Sequence, residues 1–434
     1  MQNFLEIKGG TPLRGTVRIS GAKNAALPLM IASLLTAESC TIRNVPNLTD
    51  VNILLHLLEN LGTQGRFQDG VATLATPELI SCEASYSLVK ALRASFWVLA
   101  PLLARGLKAQ VAFPGGDAIG NRKVDIHLAA LEKMGATIDM KHGVVTAEAP
   151  RGLIPAELDL SVPGIGASVG ATHQVLMAAA LAPGESLIRG AACEPEIVAL
   201  AEMLTQMGAQ IEGAGTPTIK ILGQKSLRGC TITLAGDRIE AGTYIAAAAA
   251  VPKSSILLEG IDANYLGAAL PLLKEMGLGI EVSAAGIQIT HAQKLKAVTF
   301  STAPFPGVAT DLQALFMAAL CTAEGVSTIE ENIFENRFGH VPELVRMGAA
   351  IEVEDRKAII RGVSHLSGAP VEAKDIRGGA ALVIAALGAE GLTQIFEPQH
   401  LLRGYEDLDL KLKKIGANVA FRAEEIDDSI AIGC

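Results

Sequence analysis

"LAALEKMGATI", residues 128–138, and "LAEMLTQMGAQI", residues 200–211, are one phrase written twice. Each carries apolar residues at helical spacing, then a glycine, then a short strand-like tail. A glycine just past the last apolar turn takes up the left-handed backbone that ends a helix, so the phrase reads as helix, stop, strand. It recurs as "LHLLENLGTQG", "LPLLKEMGLGI", "VPELVRMGAAI" and "LKLKKIGANVA". The glycines fall at Gly62, Gly135, Gly208, Gly277, Gly348 and Gly416, with separations of 73, 73, 69, 71 and 68 residues. A near-constant period of this length marks repeated supersecondary units, six of them here.

A second element keeps step with the first: "KNAALPLMIASLLTAE", "VKALRASFWVLAPLLARG", "SVGATHQVLMAAALAPGE", "IEAGTYIAAAAAVPKS", "ATDLQALFMAALCTAEG" and "IRGGAALVIAALGAEG". Past their first residues these segments are apolar nearly all round, which predicts helices buried on every side. Strand-like runs follow each one, such as "SCTIRNV", "AQVAFPG" and "SILLEGI". Each unit therefore reads as strand, buried helix, strand, outer helix, strand and strand, an α/β pattern. Six small units must share cores, and two lobes of three are the economical arrangement. The division is expected near "LRGCTITL", residues 227–234, with substrate held between the lobes.

Composition bounds the function. The chain has 434 residues, half of them hydrophobic, enough for large cores. Its net charge of -9 gives no bulk attraction for nucleic acid or an anionic membrane, so any anion site must be local. The six cysteines (Cys40, Cys82, Cys193, Cys230, Cys321 and Cys434) lie far apart without a CxxC pair, which suits reduced thiols and a cytoplasmic location better than disulfides or zinc. The histidines show no metal-ligand spacing, and no metal is expected. "MQNFLEIKGG" lacks the basic start and apolar run of a secretion signal. "AGTYIAAAAAVPKS" is too short and weakly apolar to span a bilayer, and reads as a buried helix.

The polar residues of the buried helices sit mainly at their starts: Lys23 and Asn24, Arg93, Ser168, Asp311 and Arg377. Helix starts expose unpaired N–H groups and the positive end of the macrodipole, so several aimed one way build an anion-binding pole. Singly each has a plainer reading. Ser168 and Asp311 serve as N-caps, Lys23 as surface charge, Arg93 as a structural partner. Recurrence at equivalent places favours function.

The loop "PGGDAIGNRK", residues 114–123, sets Asp117 between a glycine pair and the cations Arg122 and Lys123. Asp117 is either a turn residue or a proton donor to something the cations hold. "GIGASVG", residues 164–170, has the wrong spacing for a dinucleotide loop. "ENRF", residues 335–338, alone reads as a loop ion pair.

Taken together, "SGAKNAALP", "LRASFWVLAPLLARG", "PGGDAIGNRKVDIH", "SVGAT", "EPEIV", "DRIEAGT", "TDLQA", "FENRFGHVPEL", "DIRGGAALV" and "RGYEDLDLKLKKIGA" resemble the enolpyruvyl transferase family, in its branch acting on UDP-N-acetylglucosamine. The resemblance runs nearly end to end. It implies two inside-out α/β barrel lobes, each of three βαβαββ repeats around buried helices: residues 22–230 form one lobe, and residues 1–21 plus 231–434 the other. The implied reaction moves the enolpyruvyl group of phosphoenolpyruvate to the 3-hydroxyl of UDP-N-acetylglucosamine with loss of phosphate, by addition and elimination. That is the opening step of peptidoglycan precursor synthesis, and it needs no metal or organic cofactor. The rivals are a 5-enolpyruvylshikimate-3-phosphate synthase-like transferase and a non-catalytic UDP-sugar-binding relative.

By motif, the resemblance assigns Lys23, Asn24, Arg122, Arg337, Arg377 and Arg403 to phosphoenolpyruvate. The UDP-sugar is assigned Asn24, Arg93, Arg122, Lys123, Val124, Asp125, Ile126, Ser168, Val169, Gly170, Ala171, Asp311 and Ile333. Asp311 is the implied base for the 3-hydroxyl, Asp117 the implied acid, and Lys23, Arg122 and Arg403 the remaining catalytic groups. Most relatives place cysteine where Asp117 stands. A carboxyl must be lifted by about 3 pK units to be protonated at pH 7, whereas a thiol already is. This departure implies an acid-shifted activity and insensitivity to fosfomycin, the epoxide that alkylates the family cysteine. Gly166, Phe305 and the pair Gly378 and Gly379 are further departures.

Overall fold

The computed structural model describes residues 2–84, 86–115, 119–120, 124–291 and 294–424. The six repeats appear as six four-stranded sheets, each packed on helices. In a typical unit the strand before the buried helix runs parallel to the strand after it, as Thr299–Ser301 does with Val326–Glu330. A hairpin, Ala350–Glu354 with Lys357–Arg361, then completes the sheet antiparallel. Parallel neighbours need a long crossover, which the buried helix supplies. Strand Thr218–Gly223 shows the resulting alternation of exposed and buried residues.

Three sheets are completed by strands far away in sequence. Arg14–Arg18 pairs in parallel with Ser255–Glu259. Gln2–Lys8 lies between Leu392–Phe396 and Asn418–Glu424. Thr231–Thr233 runs parallel to Cys40–Arg43, so these three residues share a sheet with residues 40–75 rather than opening the second half of the chain. The buried apolar residues form two clusters, one between Ala22 and Leu234 and one from Leu5 to Ile19 and Ile239 to Val419. The chain passes between them twice at one place. There the Ala22 N–H donates to the Ala235 carbonyl (2.9 Å) and the Asp237 N–H to the Ser20 carbonyl (2.8 Å). A Cβ on Gly21 would lie 1.7 Å from the Asn44 oxygen, so only glycine lets these backbones meet.

The repeated glycines behave as their spacing predicts: Gly62, Gly135, Gly208, Gly277, Gly348 and Gly416 all have φ between 91° and 120°. Every residue of Arg238–Ala250 is buried, and this helix packs on Thr310–Leu320 and Ile376–Gly388. Gly242 permits that packing, because a Cβ there would lie 2.3 Å from Leu312. The second repeat departs from expectation. Its inner segment is a 3₁₀ helix, Arg93–Val98, followed by an α-helix, Leu99–Gly106. Pro101 has no N–H to close an α-helical bond back to Trp97, and as the third residue of the new helix it needs none. No helix among the described residues is long and apolar enough to cross a membrane.

Candidate active site

A cavity of about 1030 Å³ is lined by residues from both clusters, including one at or next to the start of each of the six inner segments: Lys23, Arg93, Ser168, Arg238, Asp311 and Arg377. The same rule of polar helix starts therefore holds in all six repeats. Of the residues singled out in the sequence, Asn24, Val124, Asp125, Ile126, Val169, Gly170, Ile333, Arg337 and Arg403 also line it. Ala171 does not. It is fully buried one turn into its helix, where its N–H donates to Ser168 Oγ at 3.2 Å. Asp117, Arg122 and Lys123 lie outside the described residues.

The helix starts differ in polarity. Ser168 caps its helix as expected. Asp311 does not: the cap position is Ala309, and Asp311, two residues on, turns its carboxylate to arginines instead. The helices beginning at Arg238 and Ile376 are capped by acids. Asp237 Oδ1 accepts the Ile239 and Glu240 N–H groups, and Asp375 Oδ1 those of Arg377 and Gly378. A carboxylate already satisfies those poles, so there the cationic side chains rather than the helix ends face the cavity.

Three carboxylates organise the cations. Asp50, buried and at the start of the outer helix Thr49–Asn60, takes Lys23 Nζ on one oxygen (2.7 Å) and Arg403 Nε on the other (2.9 Å). Lys23 is thus a buried ion-pair member rather than surface charge. Asp311 takes Arg337 Nη2 at 2.5 Å and Arg377 Nη2 at 3.2 Å. Burial alone would raise its pKa, but Arg377 and Arg337 outweigh that and hold the carboxyl well below its ordinary range. Arg377 also donates to Tyr405 Oη (3.1 Å). Burial works against its charge, but Tyr405 and Asp311 outweigh it and raise the pKa. Glu196 binds Arg238 through two bonds of 3.0 and 3.4 Å. The arginine of "ENRF" is therefore engaged by Asp311, a partner 26 residues away in sequence.

Aromatic and uncharged groups fill the wall below Arg93. Burial depresses His127 to about 4 and His173 to about 3, so both rings are neutral near pH 7. His127 Nδ1 lies 2.7 Å from the Gln174 side-chain amide. Gly170 lets its helix approach these rings, since a Cβ there would lie 3.1 Å from His127 and 3.2 Å from the Trp97 nitrogen. Phe305 lies under the Arg238 guanidinium, 5.7 Å from ring centroid to Cζ.

Sequence reading missed Asp50, Glu196, Arg238 and Tyr405. Arg238 obeys the helix-start rule and stood in the quoted "DRIEAGT". Asp50 begins an outer helix, where that rule does not look. Glu196 stood in the quoted "EPEIV" and Tyr405 in "RGYEDLDLKLKKIGA", but no helix-start rule points to either, and only the tertiary arrangement gives them their partners.

Such a site, with a buried carboxylate, Asp50, and a half-buried one, Asp311, each holding two cations, can receive anionic groups. Comparison with known proteins agrees. The family model for EPSP synthase (3-phosphoshikimate 1-carboxyvinyltransferase) matches residues 7–412. A UDP-N-acetylglucosamine 1-carboxyvinyltransferase of Beijerinckia indica is 50% identical over 95% of this chain and 97% of its own length. One of Methylacidiphilum infernorum is 45% identical over 96% and 98%. Among solved structures, the enolpyruvyl transferase NikO of Streptomyces tendae superposes with a TM-score of 0.88 at 28% identity, over 97% of this chain and 99% of its own. An EPSP synthase of Acinetobacter baumannii, at 19% identity and TM-score 0.76 over 98% and 100%, shares the fold. The chain belongs to the EPSP synthase family of carboxyvinyl transferases, on the side of its UDP-N-acetylglucosamine 1-carboxyvinyltransferase members.

Proposed function

We propose that this protein transfers the enolpyruvyl group of phosphoenolpyruvate to the 3-hydroxyl of UDP-N-acetylglucosamine and releases phosphate, the first step toward peptidoglycan precursors. The observation that carries this is the pairing of the two cation clusters with relatives named for that activity at up to 50% identity over nearly the whole chain. The architecture we infer is two inside-out α/β barrels around the two cores, divided near residues 230–234 with residues 1–21 in the second lobe. The closing strand pairings described above support that division.

Phosphoenolpyruvate brings a phosphate and a carboxylate. In our reading Lys23 and Arg403 receive the phosphate, with Asn24 beside them and Arg122 completing the clamp; Arg337 and Arg377 receive the carboxylate by bidentate bonding. The UDP-sugar runs along Arg93, residues 122–126, Ser168 to Ala171 and Ile333. Asp311 is the base for the 3-hydroxyl. With two arginines on it, Asp311 is ionised but a weak base. The phosphoenolpyruvate carboxylate, by drawing Arg337 and Arg377 away, raises the basicity of Asp311 only once that reactant is in place. Asp117 gives a proton to C3 of phosphoenolpyruvate while the sugar oxygen, losing its proton to Asp311, bonds to C2; the resulting ketal then expels phosphate as C3 gives a proton back to the Asp117 carboxylate and the C2–C3 double bond re-forms. Mixing both substrates with the protein and measuring phosphate tests the whole reading. Release with UDP-N-acetylglucosamine but not with shikimate 3-phosphate is expected, and absence of release with both overturns it.

A further inference from the structure

We propose that Glu406 is a positioning residue: it docks the 403–406 turn on the opposite wall of the cavity and so delivers Arg403 to the substrate phosphate. This rests on the reading of Arg403 given above. Glu406 is not among the cavity-lining residues, so it acts through its neighbours. Its Oε1 accepts the Asn47 backbone N–H at 2.7 Å, and its Oε2 accepts the Ser20 hydroxyl at 2.5 Å. Asn47 is three residues before Asp50, and Glu406 is three residues after Arg403, which donates to Asp50 at 2.9 Å. Two rungs therefore join residues 403–406 to residues 47–50. One ion pair alone leaves a turn free to rotate about it; a second rung at the far end removes that freedom.

The second rung is itself held. Ser20 immediately precedes Gly21, where the chain crosses from one core to the other. The Ser20 N–H donates to Glu240 Oε2 at 2.7 Å, and Lys411 Nζ donates to both Ser20 Oγ and Glu240 Oε1 at 2.6 Å. Asp407, which follows Glu406, has a left-handed φ of 50° that turns the chain into the helix Leu408–Lys414. Glu406 thus ties the crossing, the far wall and the arginine-bearing turn together through one carboxylate, and so fixes where Arg403 sits.

The test is steady-state phosphate release by the full-length protein with phosphoenolpyruvate and UDP-N-acetylglucosamine, for wild type, Glu406→Ala, Glu406→Gln, Arg403→Ala and Glu406→Ala with Arg403→Ala. Wild-type turnover checks the underlying reading separately. A misplaced phosphate ligand costs on the order of 100-fold, so Glu406→Ala should lower kcat/KM for phosphoenolpyruvate by roughly 10- to 100-fold. The KM for UDP-N-acetylglucosamine should move by less than about twofold, because its assigned contacts lie elsewhere. Glu406→Gln keeps a carbonyl for the Asn47 N–H and should recover most of the loss. In the Arg403→Ala background the Glu406→Ala change should add less than about twofold. If Glu406→Ala does not fold, Glu406→Asp, too short to span both rungs, carries the same comparison. Equal losses in both backgrounds, or a lower melting temperature with both KM values raised alike, overturn the proposal.

Discussion

Asp50 and Asp311 each hold two cations, but they draw them from different places. Asp311, Arg337 and Arg377 all come from the second half of the chain, so their triad is complete within one core. Asp50 and Lys23 come from the first half and Arg403 from the end of the second, so theirs exists only when the two walls meet. The difference teaches a division of labour. One cluster sets two arginines on a carboxylate within the second half of the chain; the other is complete only with residues from both halves.

The deepest way to break the comparison is Asp311→Asn. Removing the base should lower kcat about 10²- to 10⁴-fold with the two KM values changed far less, as measured by phosphate release at saturating substrates. Asp50→Asn should be milder, roughly 10- to 100-fold in kcat/KM for phosphoenolpyruvate. It should also increase the radius of gyration in X-ray scattering, a change that Asp311→Asn does not share. If both variants scatter alike, the distinction drawn here fails.

Asp117→Cys sharpens the chemistry between the clusters. Because an aspartic acid ordinarily ionises about 4 to 5 pK units below a thiol, the alkaline limb of the wild-type profile, where a proton donor is lost, should lie lower and move to higher pH in the variant. The variant should also lose activity irreversibly to fosfomycin, which leaves the wild type untouched. Identical pH profiles, or rapid inactivation of the wild type, count against Asp117 as the proton donor.

Stability against pH should show smaller effects. The folded pKa of Asp311 lies below its ordinary 3.8, so its contribution is present above that value and is lost as pH falls through it. Chemical denaturation of wild type and Asp311→Asn should therefore converge toward pH 2–3. His127 and His173 are also depressed, to about 4 and about 3 from 6.5. Their contribution is full above pH 6.5 and falls as the unfolded chain takes up protons below it. Replacing His127 with Gln should flatten the loss of stability between pH 6.5 and 4, and an unchanged slope would remove His127 from that account.

Much of this was legible in the chain. The six capping glycines announced six helix ends because a left-handed residue is a local demand that glycine alone meets without strain. Apolar runs announced inner helices because full burial leaves no polar face. Polar residues at the starts of those runs pointed to the cavity, and Lys23, Ser168, Asp311 and Arg377 were found there. The same signals failed where partners are distant. Pro101 shortened one inner helix, the capping alternative for Asp311 was locally as good as the functional one because its true partners Arg337 and Arg377 are remote in sequence, and Asp50 stood on a helix of the wrong class.

The sequence by itself determined the repeat, the inner and outer helices and the polar character of the helix starts, since these depend on neighbours within a few turns. Only the tertiary structure decided which carboxylate holds which cation, that strand Gln2–Lys8 joins the last sheet while Thr231–Thr233 pairs with the first, and that Glu406 reaches Asn47. Those pairings span from 26 to more than 350 residues, and no local preference encodes a partner that only close packing brings within hydrogen-bond reach.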